Sequence, residues 1–227
     1  EHVLFNSSVA DALQATKVSA RFANVAFSNG SLLQGFENRL ARGEPLAVPG
    51  DTRRYFVSLV ESGEICAIAA AYAPADVIVI PKLDPQEHLV LLHEIAERFL
   101  AYHGLKPALY DDEQAACANV EGERRQGRWP LLITALNTAG EKAYEEFMTA
   151  DEEALEIWLS SLRGVRYLPA PRDKIDEAVS SVADILAEGL NGRGRLTKEM
   201  LKDIIGLVEP HFLQTHRESE ANLDQRL

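Results

Sequence analysis

Segments with the pattern of β-strands are confined to the middle of this 227-residue chain, and segments with helical periodicity flank them on both sides. RRYFVSLV (53–60) and EICAIAAAY (64–72) predict a hairpin around Gly63, and DVIVI (76–80) predicts a third strand. Strands and helices that are segregated along the sequence are typical of α+β domains. The sequence therefore predicts an α+β fold, with a small antiparallel or mixed sheet and a helical C-terminal part.

The predicted helices share apolar residues three to four positions apart and polar residues that can cap their first turns. They lie at 7–28, 31–42, 86–103, 111–125, 130–148, 151–163, 173–190 and 197–215. These patterns divide the chain into three predicted parts: N-terminal helices at 1–50, a core with the sheet and a central helix at 51–128, and a helical lobe at 129–227.

Composition limits the classes of function. The chain is 46% hydrophobic and 26% charged, as in globular proteins, and its net charge of -12 repels nucleic-acid backbones. Cys66 and Cys117 form no recognisable disulfide framework, and no apolar run approaches the ~18–20 residues that cross a bilayer. We expect a cytoplasmic protein with no nucleic-acid or membrane partner, although the missing initial Met leaves a longer precursor open.

The stretch HLVLLHEIAERFL (88–100) predicts a helix that is apolar over most of its circumference. His93 and Glu97 are one helical turn apart, and Glu94 lies beside that pair. Burying ionised carboxylates is costly unless they are paired or bind a metal ion. The pattern therefore indicates a metal site in which His93 and Glu97 are ligands.

A third ligand is expected on the helix predicted at 111–125, which should return antiparallel to the central helix. Counting outward from the connection places Glu121 near the level of His93, so Glu121 is the first choice. Glu113 is the second choice. Cys117 is the third, because a single helical cysteine more often fills a core.

The sequence DVIVIPKLDPQEHLVLLHEIAER resembles the strand-and-helix entry of zincin metallopeptidases, and it is most similar to the small gluzincin-like proteins of bacteria and phages. The resemblance covers about residues 50–125. It implies that His93, Glu97 and Glu121 hold the metal and that Glu94 activates a metal-bound water for attack on a carbonyl. The zincin pattern has His where this chain has Glu97, so Mn²⁺ or Fe²⁺ is an alternative to Zn²⁺.

These features predict a metal-dependent hydrolase, with a peptidase acting on a protein or peptide substrate as the favoured class. Two alternatives remain at this point. One is a catalytically inactive zincin-like protein that mediates an interaction, and the other is a helical adaptor in which residues 50–82 form a small sheet.

Overall fold

The computed structural model describes residues 1–135, 145–190 and 196–216, which form an α+β fold with small mixed sheets. The strands are β1 (Val18–Ala20), β2 (Asn24–Val25), β3 (Leu46–Pro49), β4 (Arg53–Arg54), β5 (Phe56–Val57), β6 (Val77–Pro81), β7 (Val90–Leu91), β8 (Lys106–Tyr110), β9 (Arg128–Thr134), β10 (Ala154–Leu155) and β11 (Leu162–Arg166). The helices are α1 (His2–Phe5), α2 (Ser8–Ala12), α3 (Leu32–Arg42), α4 (Leu59–Tyr72), α5 (Pro85–His88), α6 (Leu92–Tyr102), α7 (Glu113–Ala118), α8 (Val120–Arg124), α9 (Arg172–Leu190), α10 (Lys198–Val208) and α11 (Pro210–Thr215).

Strand β6 lies inside a four-stranded sheet of order β1-β6-β11-β10. β1 runs parallel to β6, with Val18 opposite Val77, and β11 runs antiparallel to it, with Val165 opposite Ile78. All five residues of β6 are buried. A continuous apolar run is typical of a strand that is covered on both faces, which explains why DVIVI was recognisable in the sequence.

A second sheet has the order β3-β9-β8, and its three strands are parallel. Leu131 in the middle strand lies opposite Leu46 on one side and Leu109 on the other. Helices α3 and α6 pack against this sheet in one apolar cluster, where the rings of Phe36 and Phe99 are 5.5 Å apart. Burial of these large side chains is the main force that holds the second sheet to its helices.

Two short ribbons connect the sheets. β2 pairs in parallel with β5, with Asn24 opposite Phe56. β4 pairs in antiparallel fashion with β7, with Arg54 opposite Val90. Both ribbons involve residues 53–57, so this segment is held by hydrogen bonds to two different parts of the chain.

Several predictions of helices are confirmed. α3 and α9 match the predicted helices at 31–42 and 173–190 to within one residue. In α3 the Ser31 hydroxyl accepts a hydrogen bond from the Gln34 amide, and Gly43 ends the helix in the left-handed conformation that favours glycine. The helix predicted at 197–215 is present as α10 and α11, divided before Pro210. No helix among the described residues combines the length and the apolar character that crossing a membrane requires.

The predicted hairpin around Gly63 is wrong, because residues 59–72 form the helix α4. The Ser58 hydroxyl accepts a hydrogen bond from the Glu61 amide, and the Glu61 carboxylate accepts one from the Ser58 amide, which makes a complete capping box. Alanine-rich sequence after this cap favours a helix over a strand. The glycine that suggested a turn sits inside α4.

Three predicted helices are also wrong in whole or in part, and strands are not confined to the middle of the chain. Residues 7–28 contain α2, β1 and β2, and residues 151–163 contain β10 and the start of β11. The segment predicted as a helix at 130–148 belongs to β9 as far as Thr134, and its part at 136–144 lies outside the described residues. Periodicity alone does not distinguish a short buried strand from a piece of a buried helix.

Arg21, directly after β1, joins the first sheet to the segment that precedes β10. Its guanidinium contacts Glu1 at 2.6 Å and Glu152 at 2.6 Å, and it donates to the carbonyl oxygen of Phe147 at 2.9 Å. Burial alone raises the pKa of Glu152, but the hydrogen bonds from Arg21 and from the Thr149 amide outweigh it and hold this pKa below its ordinary value. The arrangement is therefore a partly buried ion pair that stabilises the fold.

Gly164 in β11 is expected to tolerate no side chain. A Cβ atom there would lie 2.8 Å from Ile157 Cγ2 and 3.0 Å from Val77 Cγ1. We expect Gly164→Ala to lower the free energy of unfolding by about 1–3 kcal/mol, measured by urea denaturation, because the packed neighbours must shift. Gly63→Ala is the matched control: its Cβ would meet nothing within 4 Å, and alanine in a helix should raise stability by about 0.5–1 kcal/mol. Equal effects of the two substitutions would contradict the packing described here.

The Arg21–Glu152 pair predicts a pH-dependent contribution to stability. Because the folded-state pKa of Glu152 lies below its unfolded value, the contribution is present above the unfolded pKa and is lost as pH falls through the folded pKa. Glu152→Gln should lower the free energy of unfolding by roughly 1.5–3 kcal/mol at pH 7, and the difference from wild type should shrink below about pH 4.

The control for this measurement is Glu153→Gln, which removes a carboxylate that is 66% exposed and paired with Arg166. An exposed ion pair contributes little to stability, so the free energy of unfolding of this variant should stay within about 1 kcal/mol of wild type at pH 7 and at pH 3. If Glu152→Gln lowers the free energy of unfolding by the same amount at pH 3 as at pH 7, the Arg21–Glu152 pair does not act through its charge.

Candidate functional site

The helix predicted at 86–103 is interrupted, and the interruption changes the setting of His93. Leu89 has an extended backbone, residues 90–91 form β7 against β4, and α6 begins only at Leu92. His93 Nδ1 lies 3.1 Å from the carbonyl oxygen of Gly50 and donates to it in the tautomer that carries the Nδ1 proton. The Leu92 amide donates to the carbonyl oxygen of Thr52. His93 thus helps to attach the start of α6 to the loop after β3.

The carboxylates that were predicted to act with His93 are spread over three helices. Glu94 and Glu97 lie half-buried on α6. Glu121 lies on α8, is 70% exposed and approaches Arg124 at 3.7 Å. Glu113, the second choice for the third ligand, is exposed at the start of α7.

The structure does not assemble these side chains into a metal centre. The predicted second helix is divided into α7 and α8 at Asn119, so the regular spacing from which Glu121 was placed beside His93 does not continue through it. Within residues 1–135, 145–190 and 196–216, no three His, Cys, Asp or Glu side chains are grouped so that they could hold a metal ion. Cys117 is an exposed free thiol.

A different set of polar side chains is brought together around the β2–β5 ribbon. Asn24 Nδ2 donates to a carboxylate oxygen of Glu145 at 2.9 Å and lies 3.2 Å from the carbonyl oxygen of Tyr55. Arg54 Nε lies 3.8 Å from the other carboxylate oxygen of Glu145. We call Asn24, Arg54 and Glu145 the polar cluster.

Strand pairing fixes the polar cluster from two sides. The Asn24 amide donates to the carbonyl oxygen of Tyr55, which places Asn24 beside the residue that follows Arg54. Arg54 is itself held in the β4–β7 pair, and its Nη1 donates to the carbonyl oxygen of Arg53. The positions of the amide and the guanidinium are therefore set by backbone hydrogen bonds as well as by side-chain contacts.

The guanidinium of Arg54 is largely buried and lies near the negative charge of Glu145. The side chain of Arg54 is 14% exposed and that of Glu145 is 35% exposed. Burial, followed by the negative charges of Asp84 and Glu145, raises the pKa of the nearby Tyr55 hydroxyl, so this hydroxyl stays protonated at neutral pH. A partly buried Arg flanked by an amide donor is an arrangement that suits phosphate or carboxylate oxygens, because both side chains donate hydrogen bonds.

The sequence interpretation did not select the polar cluster. Arg53 and Arg54 were assigned to a strand, and Asn24 was assigned to a helix. The signal that was present is the pair of arginines in DTRRYFVS, since two adjacent cations stand out in a chain with a net charge of -12. Glu145 could not be associated with them because it lies 121 residues from Asn24 along the chain.

Comparison with known proteins identifies the family. The sequence model of a family described as polysaccharide biosynthesis protein matches residues 1–163. No curated protein matches the chain. Among solved structures, the X-ray structure of Pen from Bacillus thuringiensis is similar, with a TM-score of 0.53 and 21% identity. The match covers 73% of this chain and 44% of that one, so this chain spans less than half the length of Pen, and the likeness concerns the fold alone.

The family match overturns the interpretation as a zincin-like metallopeptidase, and the alternative of an inactive zincin-like or helical interaction module has no support either. The resemblance depended on an uninterrupted helix at 86–103, whereas the structure has a strand and a new helix start within it. The helix is apolar because it packs in the main core, where Ala96 and Leu100 are buried. The matched segment includes the polar cluster, every strand except the last three residues of β11, and most of the described residues, and the chain belongs to the polysaccharide biosynthesis protein family.

Proposed function

We propose that this protein takes part in polysaccharide biosynthesis and binds a phosphate-activated sugar through the polar cluster. The observation that carries the proposal is the partly buried guanidinium of Arg54, which lies with the amide of Asn24 inside the segment matched by the family. Glycosidic bonds are made from sugars that carry a phosphate leaving group. A phosphate-binding site would therefore suit a protein that takes part in this synthesis.

The chemistry of the polar cluster supports a phosphate ligand. Arg presents a planar set of donors that matches phosphate oxygens, and such charge-assisted hydrogen bonds are stronger than neutral ones. Glu145 already places one carboxylate oxygen on Asn24 and the other near Arg54. This carboxylate occupies the position that phosphate oxygens would take, so an incoming phosphate would compete with it.

Because the chain is acidic, binding of an anionic ligand requires a local cationic site. A net charge of -12 repels anionic ligands at long range, so binding must depend on local contacts. The distance of 3.8 Å between Arg54 Nε and Glu145 exceeds hydrogen-bond length, which leaves this ion pair weaker than a direct charged hydrogen bond. A phosphate has more acceptor oxygens than this carboxylate and can accept direct charged hydrogen bonds from the guanidinium.

Arg54→Ala tests the proposal by isothermal titration calorimetry with UDP-glucose and with glucose 1-phosphate. We expect wild type to bind at least one of these probes and Arg54→Ala to bind it about ten- to a hundredfold more weakly, because charged hydrogen bonds to phosphate are lost. Arg53→Ala is the matched control, since Arg53 is the exposed neighbour on the same strand. Equal losses in the two variants, or no binding by wild type, would contradict the proposal.

Glu145→Gln supplies a second test with the opposite sign. Glutamine keeps an acceptor for the Asn24 amide but removes the negative charge that competes with phosphate. We expect binding of the same probe to become about two- to fivefold tighter at low salt, because a repulsive charge is removed. Weaker binding would contradict the proposed competition between the Glu145 carboxylate and the phosphate.

A further inference from the structure

The connection between β10 and β11 carries Trp158, whose side chain is 99% exposed. Its backbone φ is +65°, in the left-handed region that a bulky residue rarely adopts. A large aromatic ring gains nothing in folding from complete exposure, and a left-handed backbone adds a cost. The fold therefore holds this ring outward against the preferences of the residue.

Apolar contacts hold the backbone on both sides of Trp158. Ile157 and Leu159 are partly buried and pack against the cluster that contains Val79 and Leu162. Gly164 leaves the space that Ile157 fills, since a Cβ there would lie 2.8 Å from Ile157 Cγ2. With its two neighbours turned inward, Trp158 is fixed in its outward direction.

Lys82 fixes the same connection through polar contacts. Its Nζ donates to the Glu156 carboxylate at 2.8 Å and to the carbonyl oxygen of Leu159 at 3.3 Å. Its backbone amide donates to the carbonyl oxygen of Ser161 at 2.9 Å. Residues before and after Trp158 are thus tied to the end of β6, and the indole is presented on a rigid support.

We propose that Trp158 is a stacking platform for a sugar ring of a polysaccharide chain or of its oligosaccharide precursor. The proposal rests on the proposed function in polysaccharide biosynthesis and assigns a second contact to the sugar part of the ligand. The face of an indole is electron-rich, and the C–H groups on one face of a sugar ring carry a small positive charge, so the two surfaces attract each other.

The connection that carries Trp158 also carries Glu156, which pairs with Arg163 of β11, and these two side chains suit the hydroxyl groups of a sugar. Glu156 is 70% exposed and offers acceptor oxygens, and Arg163 is 43% exposed and offers donors. Their charged groups are 3.9 Å apart, a spacing at which water or a ligand hydroxyl competes with the direct contact. A sugar needs donors and acceptors beside an apolar face, and all three are present here.

The same surroundings disfavour other occupants. Lysine and glutamate are depleted at the centre of protein interfaces, whereas the connection that carries Trp158 contains Glu156 and is bound by Lys82. A membrane surface with anionic lipids repels a chain with a net charge of -12. A saccharide is the class whose chemistry these neighbours match.

Lys82 and Leu83 are consecutive residues that contact the surroundings of Trp158 and of the polar cluster, respectively. Lys82 binds the connection that carries Trp158, and Leu83, the next residue, packs against the cluster that contains Tyr55. Tyr55 follows Arg54 directly. Contacts of two consecutive residues therefore link the connection that carries Trp158 to the strand segment that carries Arg54.

Tryptophan fluorescence tests the platform directly, because the chain has two tryptophans and Trp129 is 3% exposed. Emission that acrylamide quenches readily therefore comes from Trp158. We expect at least one of cellotetraose, maltotetraose, chitotetraose and tetragalacturonate to protect this emission. In calorimetry, Trp158→Ala should abolish binding of that tetrasaccharide, and Trp158→Phe should weaken it about three- to tenfold, since a smaller ring keeps part of the stacking.

Tyr102→Ala is the control, because Tyr102 on α6 is also an aromatic residue, 88% exposed, and should leave tetrasaccharide binding unchanged. Circular dichroism establishes that each variant is folded. Protection by none of the four tetrasaccharides overturns the platform. Protection that comes instead from phosphatidylglycerol vesicles, or from raising the protein concentration, also overturns it and points to a membrane or to a second copy.

Binding of UDP-glucose separates this inference from the proposed function. Trp158→Ala should keep the binding that depends on Arg54 to within about tenfold, because the phosphate contacts are untouched. If wild type binds UDP-glucose through Arg54 but no tetrasaccharide, the platform fails and the phosphate site stands. If a tetrasaccharide binds at Trp158 but UDP-glucose does not bind, the platform stands and the phosphate site fails.

Discussion

The complete burial of β6 is the constraint on which the first sheet depends. A strand with every residue buried must be covered on both faces and paired along both edges, because unpaired backbone groups away from water are costly. β1 and β11 supply the two edges, and α4 packs beside them with Ile65 and Ala69 in the cluster that contains Val79. The last residue of β6 leads directly into Lys82, so the same strand positions the contact that supports Trp158. The apolar strand β6 thus organises the first sheet and, through Lys82, the connection that carries the exposed indole of Trp158.

The sequence predicted the elements whose signals are local. β6, α3 and α9 follow from apolar runs, capping residues and a C-terminal glycine that act within a few positions, whereas the α+β class is right although the segregation of strands from which it was predicted is absent. The strands β1, β2, β9 and β11 could not be distinguished from helices, because most of the strands with which they pair are distant in sequence and leave no local signal. Leu131, for example, is fully buried and lies opposite Leu46 and Leu109 in the neighbouring strands, and nothing near it in the sequence indicates either neighbour.

The polar cluster was missed for the same reason. No local sequence pattern distinguishes any of its residues. The cluster forms only because β2 pairs with β5 and because Glu145, 121 residues from Asn24 in the sequence, contacts Asn24 in the fold. The zincin interpretation erred in the opposite direction, because it relied on local spacing alone. The spacing between His93 and Glu97 holds within α6, whereas the alignment of Glu121 with them required two unbroken helices. That requirement is not met, because the β4–β7 pairing interrupts the first helix and the break at Asn119 interrupts the second.

The parallel arrangement of β3, β9 and β8 has a consequence for the order in which the chain assembles. The indole nitrogen of Trp129 donates to the carbonyl oxygen of Glu44, a contact that spans 85 residues, whereas the Tyr110 hydroxyl reaches Glu123 across only 13. Closing a short loop costs less entropy than closing a long one, so we expect β8 and β9 to pair before β3 is added. The indole of Trp129 is therefore covered in the late step, when the N-terminal part of the chain docks onto a sheet that already has two strands. Its emission should report that docking as a slower phase of refolding.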